Sequence, residues 1–122
     1  MDRVDEEIHS FGLSDAIQES LRGVFTRFPS IDRVMIYGSR ATGRYRPQSD
    51  IDLAVIAPAM SDREFSLLWM ALDDLPILFR LDVSLWHHVS NPALQQAMLR
   101  DGVRFYQNRE PIIQPPKMLS GL

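Results

Sequence analysis

Apolar positions along the chain alternate between a helical rhythm and short extended runs. Leu13, Ile17, Leu21, Val24, Phe25 and Phe28 recur at three- and four-residue spacing, a stripe one helix face wide. Ser14 is suited to cap this helix, Asp15 falls in its first turn, and Pro29 marks its stop. Arg33 to Tyr37 predicts a short buried strand, and Gly38 to Ser49 a polar loop holding two glycines and Pro47. Ile51 to Ala57 predicts a second strand, alternating around Asp52 and ending at Pro58. Ser61-Asp62-Arg63-Glu64 has the spacing of a capping box and opens a second helix through Phe65, Leu68, Trp69 and Leu72. A third strand is expected over Ile77 to Trp86, with Asp82 in its middle. Asn91-Pro92 starts a third helix, with Leu94, Met98 and Leu99 facing inward and Gly102 near its end. Val103 to Tyr106 adds a terminal strand. The sum is an α+β fold, a small mixed β-sheet flanked by helices.

Size and composition narrow this picture. A chain of 122 residues has room for one compact domain with one modest core, expected over residues 1–108. Hydrophobic residues make up 45%, as in a soluble globular protein rather than a disordered one. Residues 109–122, broken by Pro111, Pro115 and Pro116, read as a flexible tail. No apolar run approaches the roughly 20 residues that cross a bilayer, and the acidic start Met1-Asp2-Arg3-Val4-Asp5-Glu6-Glu7 does not resemble a signal peptide. The chain has no cysteine, which rules out disulfides and thiolate metal sites and fits a cytoplasmic location. Net charge is −3, from 13 basic and 16 acidic residues. Sequence-independent nucleic-acid binding normally needs a basic excess, so neither a nucleic acid nor a membrane is an expected partner.

The segment richest in chemistry runs from Gly38 to Val55. It contains Gly38-Ser39, ten residues, then Asp50-Ile51-Asp52 at the start of a strand. Glycine lets a phosphate approach the backbone closely and lets the chain turn sharply. The Ser39 hydroxyl and neighbouring N–H groups can donate to phosphate oxygens. Asp50 and Asp52, two apart on a strand, point to one face, where their charges repel unless a cation lies between them. Such hard oxygen ligands suit Mg2+ shared with phosphate oxygens. Asp82, set in the apolar run Leu81-Asp82-Val83, is the candidate for a third carboxylate, because an aspartate buried there needs a cation or a donor. It can also accept a proton from an attacking hydroxyl. Arg40, beside Ser39, and Ser49, beside Asp50, are the remaining candidates for nucleotide contact.

This segment resembles the signature of the DNA polymerase β-like nucleotidyltransferase superfamily. More closely, it is similar to the minimal nucleotidyltransferases of prokaryotes (MntA-like antitoxins), often encoded beside a small all-helical HEPN protein. The resemblance extends from the strand at Val34 to Gly102-Val103-Arg104-Phe105-Tyr106. It implies a nucleotidyltransferase fold, phosphate contacts at Gly38 and Ser39, and ligation of a two-ion Mg2+ site by Asp50, Asp52 and Asp82. Asp82 is then also the general base. The resemblance further implies ATP or another nucleoside triphosphate as donor and AMP as the transferred group. The implied acceptor is a tyrosine of a HEPN-type toxin, with this chain as the antitoxin.

Other features carry less. Arg44 and Arg46 suit either a triphosphate clamp or a solvated loop. His87-His88 would point opposite ways on an extended chain and are not expected to share a metal. Asp73-Asp74 follow a helix with no glycine-rich partner and read as solvated. The helix over Phe65–Leu72 is apolar on more than one side, so part of it is a candidate protein interface. Two alternatives stand beside the enzymatic reading: a non-catalytic antitoxin that blocks its partner by occlusion, and nucleotidyl transfer to a small molecule presented by a second subunit.

Overall fold

The computed structural model describes residues 10–108; the expected tail, 109–122, lies outside them. A 3-10 turn at Ser10–Gly12 leads into helix α1 (Asp15–Phe25). The Ser14 hydroxyl accepts from the Ile17 N–H at 3.2 Å and so caps the helix, as its sequence position suggests. Strand β1 (Arg33–Tyr37) is followed by a short helical turn, α2 (Ser39–Thr42), and by strand β2 (Ile51–Ile56). Helix α3 (Asp62–Asp73) opens on the expected capping box, Ser61 and Glu64 each satisfying the other's backbone N–H. Strand β3 (Leu81–Leu85), a 3-10 turn at Trp86–His88, helix α4 (Pro92–Asp101) and strand β4 (Val103–Gln107) complete the described chain.

The four strands form one mixed sheet in the order β3-β2-β1-β4. β1 runs antiparallel to β2 and to β4, whereas β2 and β3 are parallel. A parallel pair needs a crossover, which α3 supplies. Strand alternation then divides the side chains between two faces. Val34, Ile36, Ile51, Leu53, Val55, Val83 and Leu85 join Leu21, Phe25, Leu68 and Leu72 of α1 and α3 in the main core. On the opposite face Tyr37 and Ala54 pack with Met98 of α4, edged by Met35, Trp86 and Leu94. Helices α1 and α3 thus seal one face; the other is only partly covered, by α4. Among the described residues no helix is long and apolar enough to cross a membrane.

Four local expectations are corrected. The Gly38–Ser49 loop contains the helical turn α2. The third strand is shorter than Ile77 to Trp86, because β2 begins at Ile51 and offers nothing earlier to pair with: Ile51 lies opposite Leu81, and Leu78 is fully exposed. Leu99 faces outward at 72% exposure; α4 turns Leu94 and Met98, one helical turn apart, toward the sheet instead. Asp82 is exposed rather than buried, since its strand is covered on one face only.

Leu53 is fully buried in a central strand. Leu53→Ala is expected to cost about 3 kcal/mol through lost contacts and residual cavity. Urea unfolding should show a lower midpoint with an unchanged slope.

Candidate active site

At the end of β1 the chain reaches Gly38 with φ 73° and ψ −155°, a conformation open to glycine but strained for other residues. A Cβ there would also collide with the Asp52 carboxylate. Glycine therefore permits both the turn and the close approach of the aspartate. The Gly38 carbonyl accepts from the Ala41 and Thr42 N–H groups, and the Ser39 carbonyl from those of Gly43 and Arg44. The first N–H groups of this turn, at Ser39 and Arg40, have no acceptor within it. They lie two and three residues beyond Tyr37, the strand end that faces Asp52.

Asp52 occupies the centre of the cluster. In the sheet it stands opposite Tyr37 on β1 and opposite Asp82 on β3. Asp50, just ahead of β2, has the same parity and falls on the same face. Asp50 and Asp82 are exposed and Asp52 is half-buried. Burial, reinforced by the charges of Asp82 and then Asp50, pushes the Asp52 carboxyl above its usual value, while Arg40 pulls weakly the other way. Tyr37 is 5% exposed. Burial and two carboxylates, Asp82 then Asp52, push its phenol up to about 12, with Ser84 acting in the opposite sense. Tyr37 is therefore a neutral phenol at physiological pH.

Among the described residues no three acidic, histidine or cysteine side chains close into a ready-made metal cage. The three carboxylates instead share one open face, and no ion pair neutralises them among the described residues. Hard oxygen donors carrying mutually repelling charge at one strand spacing are chemically suited to a divalent cation that also holds phosphate oxygens.

Arg40 and Ser49 have a different place from the one expected. Arg40 is 1% exposed. Its Nε donates to the Ser49 carbonyl at 3.0 Å, Nη1 to those of Phe11 (2.9 Å) and Gly12 (3.3 Å), and Nη2 to those of Ser49 (2.9 Å) and Pro47 (3.1 Å). Tyr45 and Phe79 lie against the guanidinium, their ring centres 5.3 and 4.8 Å away. A guanidinium has five N–H groups, and all of them are committed to the main chain. Arg40 is thus an internal strut of the loop rather than a triphosphate contact. Ser49 serves the same loop: its hydroxyl accepts from the Arg46 N–H at 2.8 Å, closing the turn that delivers Asp50. Arg44 and Arg46 remain exposed on the loop surface.

Comparison with known proteins bears directly on this arrangement. The sequence profile of the family described as Polymerase beta, Nucleotidyltransferase matches residues 19–111, which include the Gly-Ser turn and all three aspartates. The chain belongs to this nucleotidyltransferase family. No curated protein sequence gives a significant match. Among solved structures, the chain is similar to one described as a toxin-antitoxin with AMP-PNP, at 19% identity and a TM-score of 0.56, over 75% of this chain and 74% of that one. A putative nucleotidyltransferase from Sulfolobus solfataricus matches at 21% identity and a TM-score of 0.52, covering 90% and 91% of the two chains. The toxin-antitoxin MntA-HpeT, in a mutant form, matches at 20% identity and a TM-score of 0.51, covering 78% and 73%. At these identities the likeness is one of fold.

Within this nucleotidyltransferase, Gly38, Ser39, Asp50, Asp52 and Asp82 come together on one sheet face, and Arg40 and Ser49 do not join them. Tyr37 and Ser84 are the residues that sequence reading missed. A signal for both was present: Ser84 shares the parity of Asp82, and Tyr37 directly precedes the Gly-Ser turn. His87 and His88 are exposed in a 3-10 turn and belong to no metal cluster among the described residues. Asp73 ends α3 and Asp74 caps it; both are exposed.

Replacing Arg40 by Met or Lys is expected to destabilise the fold by about 3 kcal/mol, because neither satisfies the carbonyl belt that five forked donors now fill. Chemical denaturation of the two variants checks this. A second expectation concerns pH. The folded chain binds the Asp52 proton more tightly than the unfolded chain does. Charged Asp52 therefore lowers stability above its raised pKa, and the loss is relieved as pH falls through that value. Asp52→Asn should raise the melting temperature at pH 7, with the advantage shrinking as pH is lowered through the carboxylate range.

Proposed function

We propose that this chain is a Mg2+-dependent nucleotidyltransferase that passes AMP from ATP to a hydroxyl of a partner protein in the cytoplasm, and that it acts as the antitoxin of a HEPN-type toxin. The observation that carries this reading is the pairing of Asp52 with Asp82 across the parallel strands, beside the Gly38-Ser39 turn and on the open face. Gly38 allows a triphosphate close to the backbone, and the Ser39 hydroxyl and N–H donate to its oxygens. Asp50, Asp52 and Asp82 would hold Mg2+, which supplies charge neutralisation at the α-phosphate and the departing pyrophosphate. The acceptor oxygen bonds to the α-phosphorus as the bond to the bridging oxygen breaks, and Asp82, exposed at the rim, takes the hydroxyl proton.

A protein acceptor suits a carboxylate face that is open rather than enclosed. Similarity to the toxin-antitoxin with AMP-PNP and to MntA-HpeT supports a nucleotide donor and a toxin partner; a tyrosine is the acceptor that the family resemblance implies. The competing reading is an antitoxin that acts by occlusion alone; the placing of Asp50, Asp52 and Asp82 on one face argues against it, since a pure clamp does not require three such carboxylates.

The deciding experiment follows label from ATP carrying radioactive phosphorus at its α-phosphate onto proteins encoded beside this chain, with Mg2+. Wild type should label a tyrosine of the partner, and Asp50→Asn or Asp52→Asn should reduce the rate on the order of a thousandfold. A tight complex with no label from any nucleoside triphosphate would establish the occluding module instead.

A further inference from the structure

Helix α3 seals the main core with Leu68 and Leu72, yet its outer side is unusually apolar: Met70 is 66% exposed and Leu67 44%. With Ala71 and Asp74, and with Arg27 and Phe28 beyond the end of α1, these residues line a surface hollow. Arg63, Leu67, Met70 and Asp74 follow one another at spacings of four, three and four residues, which sets them in one row along the helix. Arg63 and Asp74 are exposed, and among the described residues neither side chain is ion-paired. Asp62 and Asp73 precede the two charged ends by one residue each and so lie about 100° away from the row.

This row has a particular symmetry. The midpoint between Leu67 and Met70 is also the midpoint between Arg63 and Asp74, which stand about 16 Å apart along the axis. Reversing the helix exchanges the cation with the anion and leaves the apolar centre in place. A surface of this kind is complementary to itself about a two-fold axis. We infer that α3 is a homodimer face: two copies pack α3 antiparallel, Leu67 and Met70 of each meeting at the axis, with Arg63 of each copy against Asp74 of the other. Antiparallel packing also opposes the two helix dipoles favourably. The face is small, so the association is weak and concentration-dependent. Because α3 covers the sheet face opposite the carboxylates, dimerisation leaves Asp50, Asp52 and Asp82 of both copies open.

Sedimentation velocity over a wide range of protein concentration tests the inference on the full chain. Wild type should show a monomer–dimer equilibrium, and Met70→Asp should abolish the dimer. Arg63→Asp and Asp74→Arg should each weaken self-association roughly tenfold, since each replaces two attractions with two repulsions. An equal mixture of these two variants should dimerise better than either alone, because only the mixed pair restores both contacts. The unfolding midpoint of each variant confirms that it is folded. Wild type that stays monomeric throughout, single variants that dimerise like wild type, or a mixture that gains nothing would each overturn the proposal.

Discussion

The guanidinium of Arg40 lies beneath the loop that joins β1 to β2, and its N–H groups all end on main-chain oxygens. Those oxygens belong to two separate stretches, the turn at Phe11-Gly12 and the bend at Pro47–Ser49. A buried charge without an acidic partner is tolerable only when its donors are saturated in this way. The loop consequently has a fixed interior although most of its surface is polar and exposed. Asp50 leaves that loop directly after Ser49, whose carbonyl Arg40 grips twice. The position of the first carboxylate is thus set by a residue that touches none of the reactive groups.

Sheet register fixes the second and third carboxylates. Asp52 faces Asp82 because β2 and β3 are parallel and in step from Ile51 and Leu81 onward. The arrangement opposes stability: like charges lie side by side, burial raises the cost of ionising Asp52, and Tyr37 is driven toward a permanently neutral phenol. Hydrophobic packing on the opposite face, where Leu53, Val55, Val83 and Leu85 meet α1 and α3, holds these groups together against their repulsion. One strand pair thereby separates its tasks by parity, odd positions supporting the core and even positions bearing the polar cluster.

Much of this was legible in the chain itself because the governing signals are local. The spacing of Leu21, Val24 and Phe25, the cap at Ser14 and the Ser61–Glu64 box set helix starts within a residue, and the Gly-Ser and Asp-x-Asp elements located the cluster. What escaped depended on long-range pairing. The run from Ile77 to Trp86 is apolar enough for a strand throughout, but only Leu81–Leu85 finds a partner. Asp82 seemed buried because its neighbours in sequence are apolar, whereas exposure follows the face and not the neighbours. Arg40 looked like a phosphate ligand because a basic residue beside a Gly-Ser turn offers that chemistry. Two of its actual acceptors, the carbonyls of Phe11 and Gly12, come from a part of the chain that no local pattern connects to it.

The crossover through α3 has a consequence for the order in which the molecule becomes complete. β1 and β2 are antiparallel neighbours joined by a loop, and their pairing already brings Gly38, Ser39, Asp50 and Asp52 together. Asp82 arrives only when a whole helix has docked and β3 has found its parallel register, a contact of higher sequence separation and slower closure. The β1–β2 pair by itself thus accounts for two of the three carboxylates, and the third depends on the crossover. The full acidic cluster is therefore a property of the finished fold, in which β3 has taken its place beside β2.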